Sequence, residues 1–571
     1  MIRSFLNHWF TESIVNRELN LKLATTQDMR KIDESAVKDY SLTIARLMEN
    51  AGAAVLKELE ITYSPLSKKT VGVLCGKGNN GGDALVVARL LKLKKVSVVV
   101  VLAGEAEELS IEAKKQYRKA KAAKVPILTM AEGKTIKAIQ AALEECDLIV
   151  DGLLGTGLSR PVEGFCRDLI QLGKKLGKSV VAVDIPSGLS ADSGTPMGDV
   201  LPAQTTVTFG LPKFGFYTPI GSSFTGNLKV INIGFPEELL NASFIRQELS
   251  DLSMVQKSLP HYDENTHKGT RGRVLVIAGA RGLTGAATLS AYGAQRIGAG
   301  LVTVACAESL NDILEVKLTE PMTAPVPEIE GGFLSLRAIG RILDLAVNVN
   351  SVILGPGIGR NRETGQLVKD LIMKLTMPMV VDADALYLMG GHLDHFKTAQ
   401  APIIITPHPG EAAWLLKTTI TAVEQNRLKV AKQLAQDYNV VVVLKGRFTV
   451  IANPQGEVRV NPTGSRGLAT GGTGDVLSGI IGGLLAQRLP AFEAATTGVY
   501  LHGLAGEEAS RKLGPDGLLA GDLLPLLPSL LRQARETTEF QCPSPSISKT
   551  SGKRFSSSSR FVSRNSTNIS K

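Results

Sequence analysis

Cysteine is scarce in this chain, with five in 571 residues. Cys75, Cys146, Cys166, Cys306 and Cys542 show neither metal-ligand spacing nor a paired framework, which argues against a disulfide scaffold and suits a reducing compartment, read as the cytoplasm. Aromatic residues make up 5% and there are only two Trp, so no stacking platform for nucleic acid stands out. No apolar run reaches membrane-spanning length; residues 96–104 are strand-sized. Acids are missing at one end. Residues 541–571 hold six Lys or Arg and no Asp or Glu, so the formal charge of +10 falls to +4 for the remainder. That small balance does not suggest a nucleic-acid or membrane role for the folded part. The same segment is Ser-rich and reads as a disordered tail. Residues 1–20 carry Arg3, Phe5, Trp9, Phe10 and Arg17 but also Glu12 and Glu18. They fit neither a transit peptide, which is poor in acids, nor a signal peptide, and read as a short amphipathic extension.

What is present is a long alternation of strand-like and helix-like segments. At 571 residues the chain is too long for one core. Short β-branched runs at 71–75, 96–102, 147–151 and 179–184 are separated by helical stretches such as 84–95 and 111–123. A polar stretch around Glu264 to Gly269 follows, and a second series begins: 273–278, 301–305, 351–354, 379–381, 402–405 and 440–444. This is the pattern of parallel α/β sheets, once in each half. The expected organisation is an extension at 1–20, one domain at 21–240, a second at 255–535 and the tail at 541–571, with the two halves able to work independently.

The densest chemical signal is Gly467-Leu468-Ala469-Thr470-Gly471-Gly472-Thr473-Gly474-Asp475, followed by the apolar run 476–485. Such a loop bares backbone N–H groups, and a helix start adds partial positive charge, which together suit a phosphate. Asp475 then sits where a general base belongs. No G-x-x-x-x-G-K-[ST] loop is present, so this is not a P-loop enzyme.

In the first half, Gly76-Lys77-Gly78-Asn79-Asn80-Gly81-Gly82-Asp83 follows a strand and opens a helix, and contains G-x-G-x-x-G. Asn79, Asn80 and Asp83 are polar groups that a plain dinucleotide loop does not need. Two further loops follow strands: Asp151-Gly152-Leu153-Leu154-Gly155-Thr156-Gly157-Leu158 and Asp184-Ile185-Pro186-Ser187-Gly188-Leu189. Together these loops resemble the NAD(P)H-hydrate epimerase of the YjeF N-terminal type, over roughly residues 20–240. Ala84 departs from the family, which usually has a further Gly there. The resemblance implies that Asn79, Asn80, Gly81, Gly82 and Asp83, with Gly155, Thr156, Gly157, Leu158, Ser159, Arg160 and Pro161, line the hydrate site, and that Asp184 contacts the substrate. It also implies Asn80, Asp151 and Ser187 as ligands of K+, which fits their hard oxygen donors. Asp184 is the candidate for proton transfer at the hydrated carbon.

In the second half, strand ends precede residues 279–287, Gly355-Pro356-Gly357-Ile358-Gly359, Asp382-Ala383-Asp384-Ala385-Leu386, Thr406-Pro407-His408-Pro409-Gly410-Glu411 and Lys445-Gly446-Arg447-Phe448-Thr449. With the Gly-rich loop this set resembles the ribokinase-like, ADP-dependent NAD(P)H-hydrate dehydratase of the YjeF C-terminal type, over about residues 255–535. The resemblance implies that Lys445, Gly446, Arg447, Phe448 and Thr449, together with Gly464, Ser465, Arg466, Gly467, Leu468, Ala469, Thr470, Gly471, Gly472, Thr473 and Gly474, hold the nucleotide. It implies that Ala286, Gly359, His408, Pro409, Gly410, Glu411, Ala412, Ala413, Trp414 and Asp475 face the hydrate. His392 and His395 have H-x-x-H spacing without a third ligand in view and read as surface residues.

The fold expected is therefore α/β: an N-terminal Rossmann-like three-layer parallel-sheet domain and a C-terminal ribokinase-like α/β domain. The function that the resemblance implies is repair. NADH or NADPH that has taken up water would have its R and S forms interconverted by the first domain. The second would dehydrate the S form at the expense of ADP, giving AMP and phosphate, with Mg2+ accompanying the nucleotide. The expected partners are these small molecules, with no nucleic acid and no membrane, in a homo-oligomer. Two other readings stand beside it: a vitamin-precursor or sugar kinase of ribokinase-like fold fused to a Rossmann-like domain, and a non-enzymatic scaffold.

Overall fold

The computed structural model describes residues 22–129 and 136–536, so the extension at 1–20 and the tail at 541–571 lie outside the described residues. In chain order the strands of the first half are β1 (Lys22–Leu23), β2 (Thr70–Cys75), β3 (Ser97–Leu102), β4 (Ile127–Leu128), β5 (Leu148–Gly152), β6 (Ser179–Val183), β7 (Thr205–Phe209) and β8 (Asn227–Ile231). Seven of them form one sheet in the order β4-β3-β2-β5-β6-β7-β8, with every pairing parallel. β2, Thr-Val-Gly-Val-Leu-Cys, is buried from its second residue onward. A Val-rich strand without polar alternation belongs inside a sheet covered by helices on both faces.

The second half continues with β9 (Gln247–Leu249), β10 (Arg273–Ile277), β11 (Leu301–Ala307), β12 (Met322–Val326), a small hairpin β13 (Glu328–Ile329) and β14 (Phe333–Leu334), then β15 (Ser351–Leu354), β16 (Met379–Val381), β17 (Ile403–Ile405), β18 (Val441–Leu444), β19 (Val450–Ala452) and β20 (Val458–Val460). Its eleven-stranded sheet runs β1-β9-β20-β19-β18-β17-β16-β15-β10-β11-β12. The pairings from β12 across to β18 are parallel, and β19 adds to β18 antiparallel. No helix among the described residues is long and apolar enough to cross a membrane.

Each sheet reverses direction once. From β2 the chain builds outward to β3 and β4, then returns to place β5 on β2's other side. From β10 it builds to β11 and β12, then places β15 on β10's other side. Crevices outside the carboxyl ends of strands at such reversals are where open α/β sheets bind ligands. The loops after β2 and β5 flank the first reversal, and those after β10 and β15 flank the second.

The sequence suggested a polar boundary between two self-contained halves. In the structure that boundary carries β9, which lies parallel to β20 and antiparallel to β1. The first described strand is thus the outer edge of the second half's sheet. Lys22 and Glu248 form an ion pair across this contact. Leu23, Phe214 and Leu249 are buried in the same core cluster as β10, β15 and β18. Ala24 N donates to Pro212 O at 2.9 Å, and Phe214 N donates to Ala24 O at 3.0 Å, fastening the loop after β7 to the same place. A polar stretch in sequence gave no sign of this, because register between strands more than two hundred residues apart is a tertiary property.

Candidate functional site

The first cavity is about 1160 Å³, lined by Asn79, Asn80, Asp83, Gly155, Thr156, Gly157, Leu158, Ser159, Arg160 and Asp184 among the expected residues. Gly81, Gly82 and Pro161 do not line it. Gly81 is buried where a Cβ would lie 1.9 Å from Gly76 O, so its role is the tight turn into the helix Asn79–Leu93. Ala84 is also fully buried, and its methyl fits because Gly152 opposite has no Cβ; one there would lie 2.4 Å away. That absence accommodates the departure from the family pattern.

Asp151 and Ser187 meet beneath this cavity. Asp151 Oδ1 accepts from Ser187 Oγ at 2.6 Å and Leu153 N at 3.2 Å, and Oδ2 accepts from Ser187 N at 2.8 Å. Burial pushes the Asp151 carboxyl up to about 6, against these hydrogen bonds, which favour its charged form. Asn80 Nδ2 donates to Leu154 O at 2.9 Å, while its Oδ1 is buried without a partner. A buried amide oxygen left unpaired is costly, on the order of 1–3 kcal/mol. An orphan oxygen beside a buried carboxylate, a hydroxyl and a carbonyl is a donor set for a hard monovalent cation, so these residues fit K+.

Asp184 stands at the carboxyl end of β6 with φ +63°, a left-handed conformation that a side chain other than Gly adopts at a cost. Its Oδ1 accepts from Lys213 Nζ at 2.5 Å, Thr208 Oγ1 at 3.0 Å and Phe209 N at 3.2 Å. Lys213 is 1% exposed and also donates to Thr208 Oγ1 at 2.8 Å and Phe209 O at 3.1 Å. A lysine held this deeply requires such a partner. Sequence reasoning missed Lys213; a lysine just after a strand end was the available signal. Asp83 is half-buried at the cavity, and desolvation with the nearby Asp184 and Asp33 charges drives its carboxyl well above the usual range.

The second site gathers at the carboxyl ends of the second sheet. Asp382 follows β16, Lys445 follows β18, and Asp475 lies in the first turn of the helix Thr473–Ala486. Lys445 Nζ donates to Asp382 Oδ1 at 2.9 Å and lies 3.8 Å from Glu411. Ser478 Oγ donates to Asp382 Oδ2 at 2.6 Å. Burial is the largest influence on both members and opposes both charges, but it is outweighed by the partner together with Ser478 and Thr406 for Asp382, held below the usual range, and with Glu411 and Asp475 for Lys445, held above. Lys445 is therefore not a solvated strand-end lysine. A Cβ on Gly474 would sit 3.5 Å from its Nζ, so the ammonium reaches the Gly-rich loop. Burial, then the Asp382 charge, pushes Asp475 up to about 7, with Lys445 working against them. The helix bearing Asp475 lies hard against Thr284–Arg296: a Cβ on Gly479 would be 2.2 Å from Ser290 O, and Ser290 Oγ donates to Asp475 O at 3.1 Å.

The Gly-rich loop is braced from behind. Thr473 Oγ1 donates to Leu468 O and Thr470 O at 2.9 and 3.0 Å. Ser465 bonds Gly506 O and Ser510 Oγ, and Gly464 N donates to Glu507. His502, buried and pushed by that burial down to about 4, contacts Thr473 O at 3.0 Å through Nε2. Arg427 donates to Leu444 O and Lys445 O, fixing the strand end from which Lys445 projects. Neither His502 nor Arg427 stood out in the sequence.

The remaining expected residues divide. Gly359 N donates to Asp384 Oδ2 at 3.1 Å, and Ala286 approaches Gly357. Arg360 stacks over Tyr387 at 4.1 Å, and Tyr387 stacks on Trp414 at 4.7 Å, leaving an aromatic face 48% exposed at the rim. His408 caps the helix Pro409–Leu415: its Nδ1 accepts from Gly410 N and Glu411 N, while His408 N donates back to Glu411 Oε2. Ala412 and Ala413 are buried in the core rather than presented to a ligand. Phe448, with φ +57°, meets Tyr217 of the first half edge-on at 5.8 Å. His392 and His395 sit together with ring centroids 5.9 Å apart, and no group of three or more His, Cys, Asp or Glu is placed to hold a metal among the described residues.

Against this geometry, two family descriptions match: NAD(P)H-hydrate dehydratase over residues 274–529, and YjeF-related protein N-terminus over residues 44–215. A bifunctional NAD(P)H-hydrate repair enzyme of Moorella thermoacetica is 40% identical over 518 residues, covering 90% of this chain and 98% of its own. The enzyme of that description from Escherichia coli K12 is 35% identical over 505 residues, covering 88% and 92%. Among solved structures, an ADP/ATP-dependent NAD(P)H-hydrate dehydratase of Bacillus subtilis co-crystallised with ATP and Mg2+ aligns with 50% of this chain and 98% of its own, at 31% identity and a TM-score of 0.44.

Proposed function

The chain belongs to the bifunctional NAD(P)H-hydrate repair enzymes, and from that premise we propose how its two sites divide the work. It interconverts the R and S forms of hydrated NADH and NADPH and dehydrates the S form at the expense of ADP. The comparisons do not favour a vitamin-precursor or sugar kinase.

Epimerisation belongs to the cavity of the first half, where Asp184, paired with Lys213, faces the hydrated carbon. Asn80, Asp151 and Ser187 would hold K+, which supplies fixed positive charge that neutralises Asp151 and ties three loops together. Dehydration belongs to the second half. Hydroxide leaves poorly, so the hydroxyl is first phosphorylated and then eliminated. Asp475 takes the hydroxyl proton as the oxygen attacks the phosphoryl group. The bared N–H groups of the Gly-rich loop and Lys445 hold the transferred phosphoryl, whose charge is spread over its oxygens. Mg2+ would come with the nucleotide phosphates and neutralise part of their charge. Free Cys75, Cys146, Cys166 and Cys306 suit the cytoplasm.

The single observation that carries this reading is Asp475 at the open Gly-rich helix start, with its carboxyl at about 7 beside the buried Asp382–Lys445 pair. A general base works best with a pKa near the working pH. The test supplies the mixed hydrates with ADP, with ATP, or with no nucleotide, and follows the returning absorbance of the reduced ring. Return only with nucleotide is expected; return without it, or none at all, contradicts the reading.

A further inference from the structure

Asp33 is a carboxylate in the first cavity that neither the Gly-rich loops nor the resemblance pointed to. The helix Thr26–Asp39 forms one wall, presenting Met29, Asp33 and Val37 to the cavity. Their spacing of four residues puts them on one helical face, with Asp33 between two apolar side chains and Glu34 beside it at the same wall. The helix is held at its start by the reciprocal cap between Thr25 and Asp28, and by Thr26 N donating to Asp192 Oδ1 at 2.6 Å. Asp184 and Lys213 face the same space from the ends of β6 and β7, and Asp83 from the helix after β2.

We infer that Asp33 is the proton-transfer group of the epimerase, protonating the departing hydroxyl while Lys213-paired Asp184 stabilises the cation that forms. This rests on the epimerase reading above. The hydrate arises by addition of water to an enamine double bond, so the hydroxyl lies on the carbon joined to the ring nitrogen. The C–O bond breaks with its electron pair leaving on oxygen, and the Asp33 proton makes that oxygen water. The nitrogen lone pair forms the C=N bond of an iminium ion. Water then adds to either face of that carbon, the C=N pair returns to nitrogen, and the surplus proton goes back to the Asp33 carboxylate. Nothing is oxidised or reduced, and the only net change is configuration.

The electrostatics suit an acid. Asp33 stays accessible at the cavity wall; partial desolvation there, then the Asp184 charge, raises its carboxyl to about 6, opposed by Lys213 and assisted by Glu34. Two carboxylates with different surroundings in one site are the usual arrangement for separate acid and ion-stabilising roles.

The test uses the full chain and follows the two epimers by chromatography. Asp33→Asn should slow interconversion on the order of a hundredfold to ten-thousandfold while the S hydrate is still dehydrated with ADP at the parental rate. The parental epimerisation rate should fall as pH rises above about 6, and Asp33→Asn should lose that limb. Asp33→Glu should recover part of the rate and the limb. Parental epimerisation by Asp33→Asn, or a slowed variant that keeps the parental pH profile, overturns the assignment. If Asp33→Asn also loses dehydration through misfolding, Asp33→Glu decides: a folded, inactive Glu variant overturns it, and a restored acid limb supports it. A parent protein with no epimerisation would instead refute the epimerase reading itself.

Discussion

The two sites are built on one plan and differ in what surrounds it. Each lies at the carboxyl ends of a parallel sheet, and each holds a lysine–aspartate pair with one member almost fully buried: Lys213–Asp184 in the first, Lys445–Asp382 in the second. Each places beside the pair a carboxylate raised chiefly by desolvation, Asp33 at an accessible wall to about 6 and the half-buried Asp475 to about 7. The surroundings separate them. The first site is a cavity of about 1160 Å³ walled by loops and a helix face, with an orphan amide oxygen beneath it. The second opens onto a glycine-rich helix start with uncapped N–H groups and an ammonium 3.5 Å from where a Gly474 Cβ would stand. On the proposed reading, the shared pair with its raised carboxylate moves protons. Only the second surroundings offer a cradle for a phosphoryl group, so only the second reaction is expected to consume nucleotide.

Breaking one member should leave the other working. The largest effect is expected for Asp475→Asn, which should lower dehydration on the order of a hundredfold to ten-thousandfold and leave epimerisation at the parental rate. Initial rates of the two reactions on one preparation check this. Equal loss of both would break the comparison.

Next is Lys213→Met. It leaves Asp184 without its ion pair, and removing one partner of a buried pair costs roughly 3–5 kcal/mol. Urea unfolding should register that loss, and epimerisation should fall. Because Phe214 is part of the second half's core, the variant also measures how far damage at one site spreads to the other. Unchanged unfolding would mean that the pair is not buried as described.

The raised carboxylate gives a pH signature. Asp475 as base must be ionised, so kcat/KM for dehydration should climb about tenfold per unit toward pH 7 and level off above it. The same group affects stability with the opposite sense. A folded-state value near 7, above the unfolded value near 4, means that the native state binds the extra proton and gains stability as pH falls through 7. Asp475→Asn should therefore melt higher than the parent at pH 8, with the gain gone by about pH 4. A lower melting temperature at pH 8 would show that the carboxylate is not strained by burial.

The smallest effect is expected at Ala84. Ala84→Gly restores the family's usual residue but adds a glycine to a helix interior, costing about 0.5–1 kcal/mol. Epimerisation should be unchanged, because the methyl packs against Gly152 and does not line the cavity. A marked change in KM would mean that residue 84 shapes the site.

The strand-end loops were legible because their signals are local. Glycines, Asn, Asp and Thr clustered after β-branched runs announce turns at the carboxyl ends of strands, and the two-series alternation announced two parallel sheets. Strands such as β7, β8, β19 and β20 were not singled out; Thr-rich β7 and short β19 and β20 lack a long apolar run. What stayed hidden are encounters between distant segments. Asp382 stood in a quoted loop, but only the fold shows it meeting Lys445, 63 residues away, and Ser478, 96 residues away. Asp33 lies exposed on an amphipathic helix, and only the fold turns that face into the wall of the first cavity. The β1–β9 pairing joins two- and three-residue strands too short to announce themselves.

The division of labour is tested most directly with mixed R and S hydrates, ADP and two full-length variants, Asp184→Ala and Asp475→Asn, resolving both epimers by chromatography over time. With Asp184→Ala the S form should disappear at the parental rate while the R form remains, apart from slow spontaneous epimerisation. With Asp475→Asn neither form should be consumed, yet the two should still interconvert. Depletion of both epimers by Asp184→Ala as fast as by the parent would contradict the account, because the first site would then have no part in the reaction assigned to it.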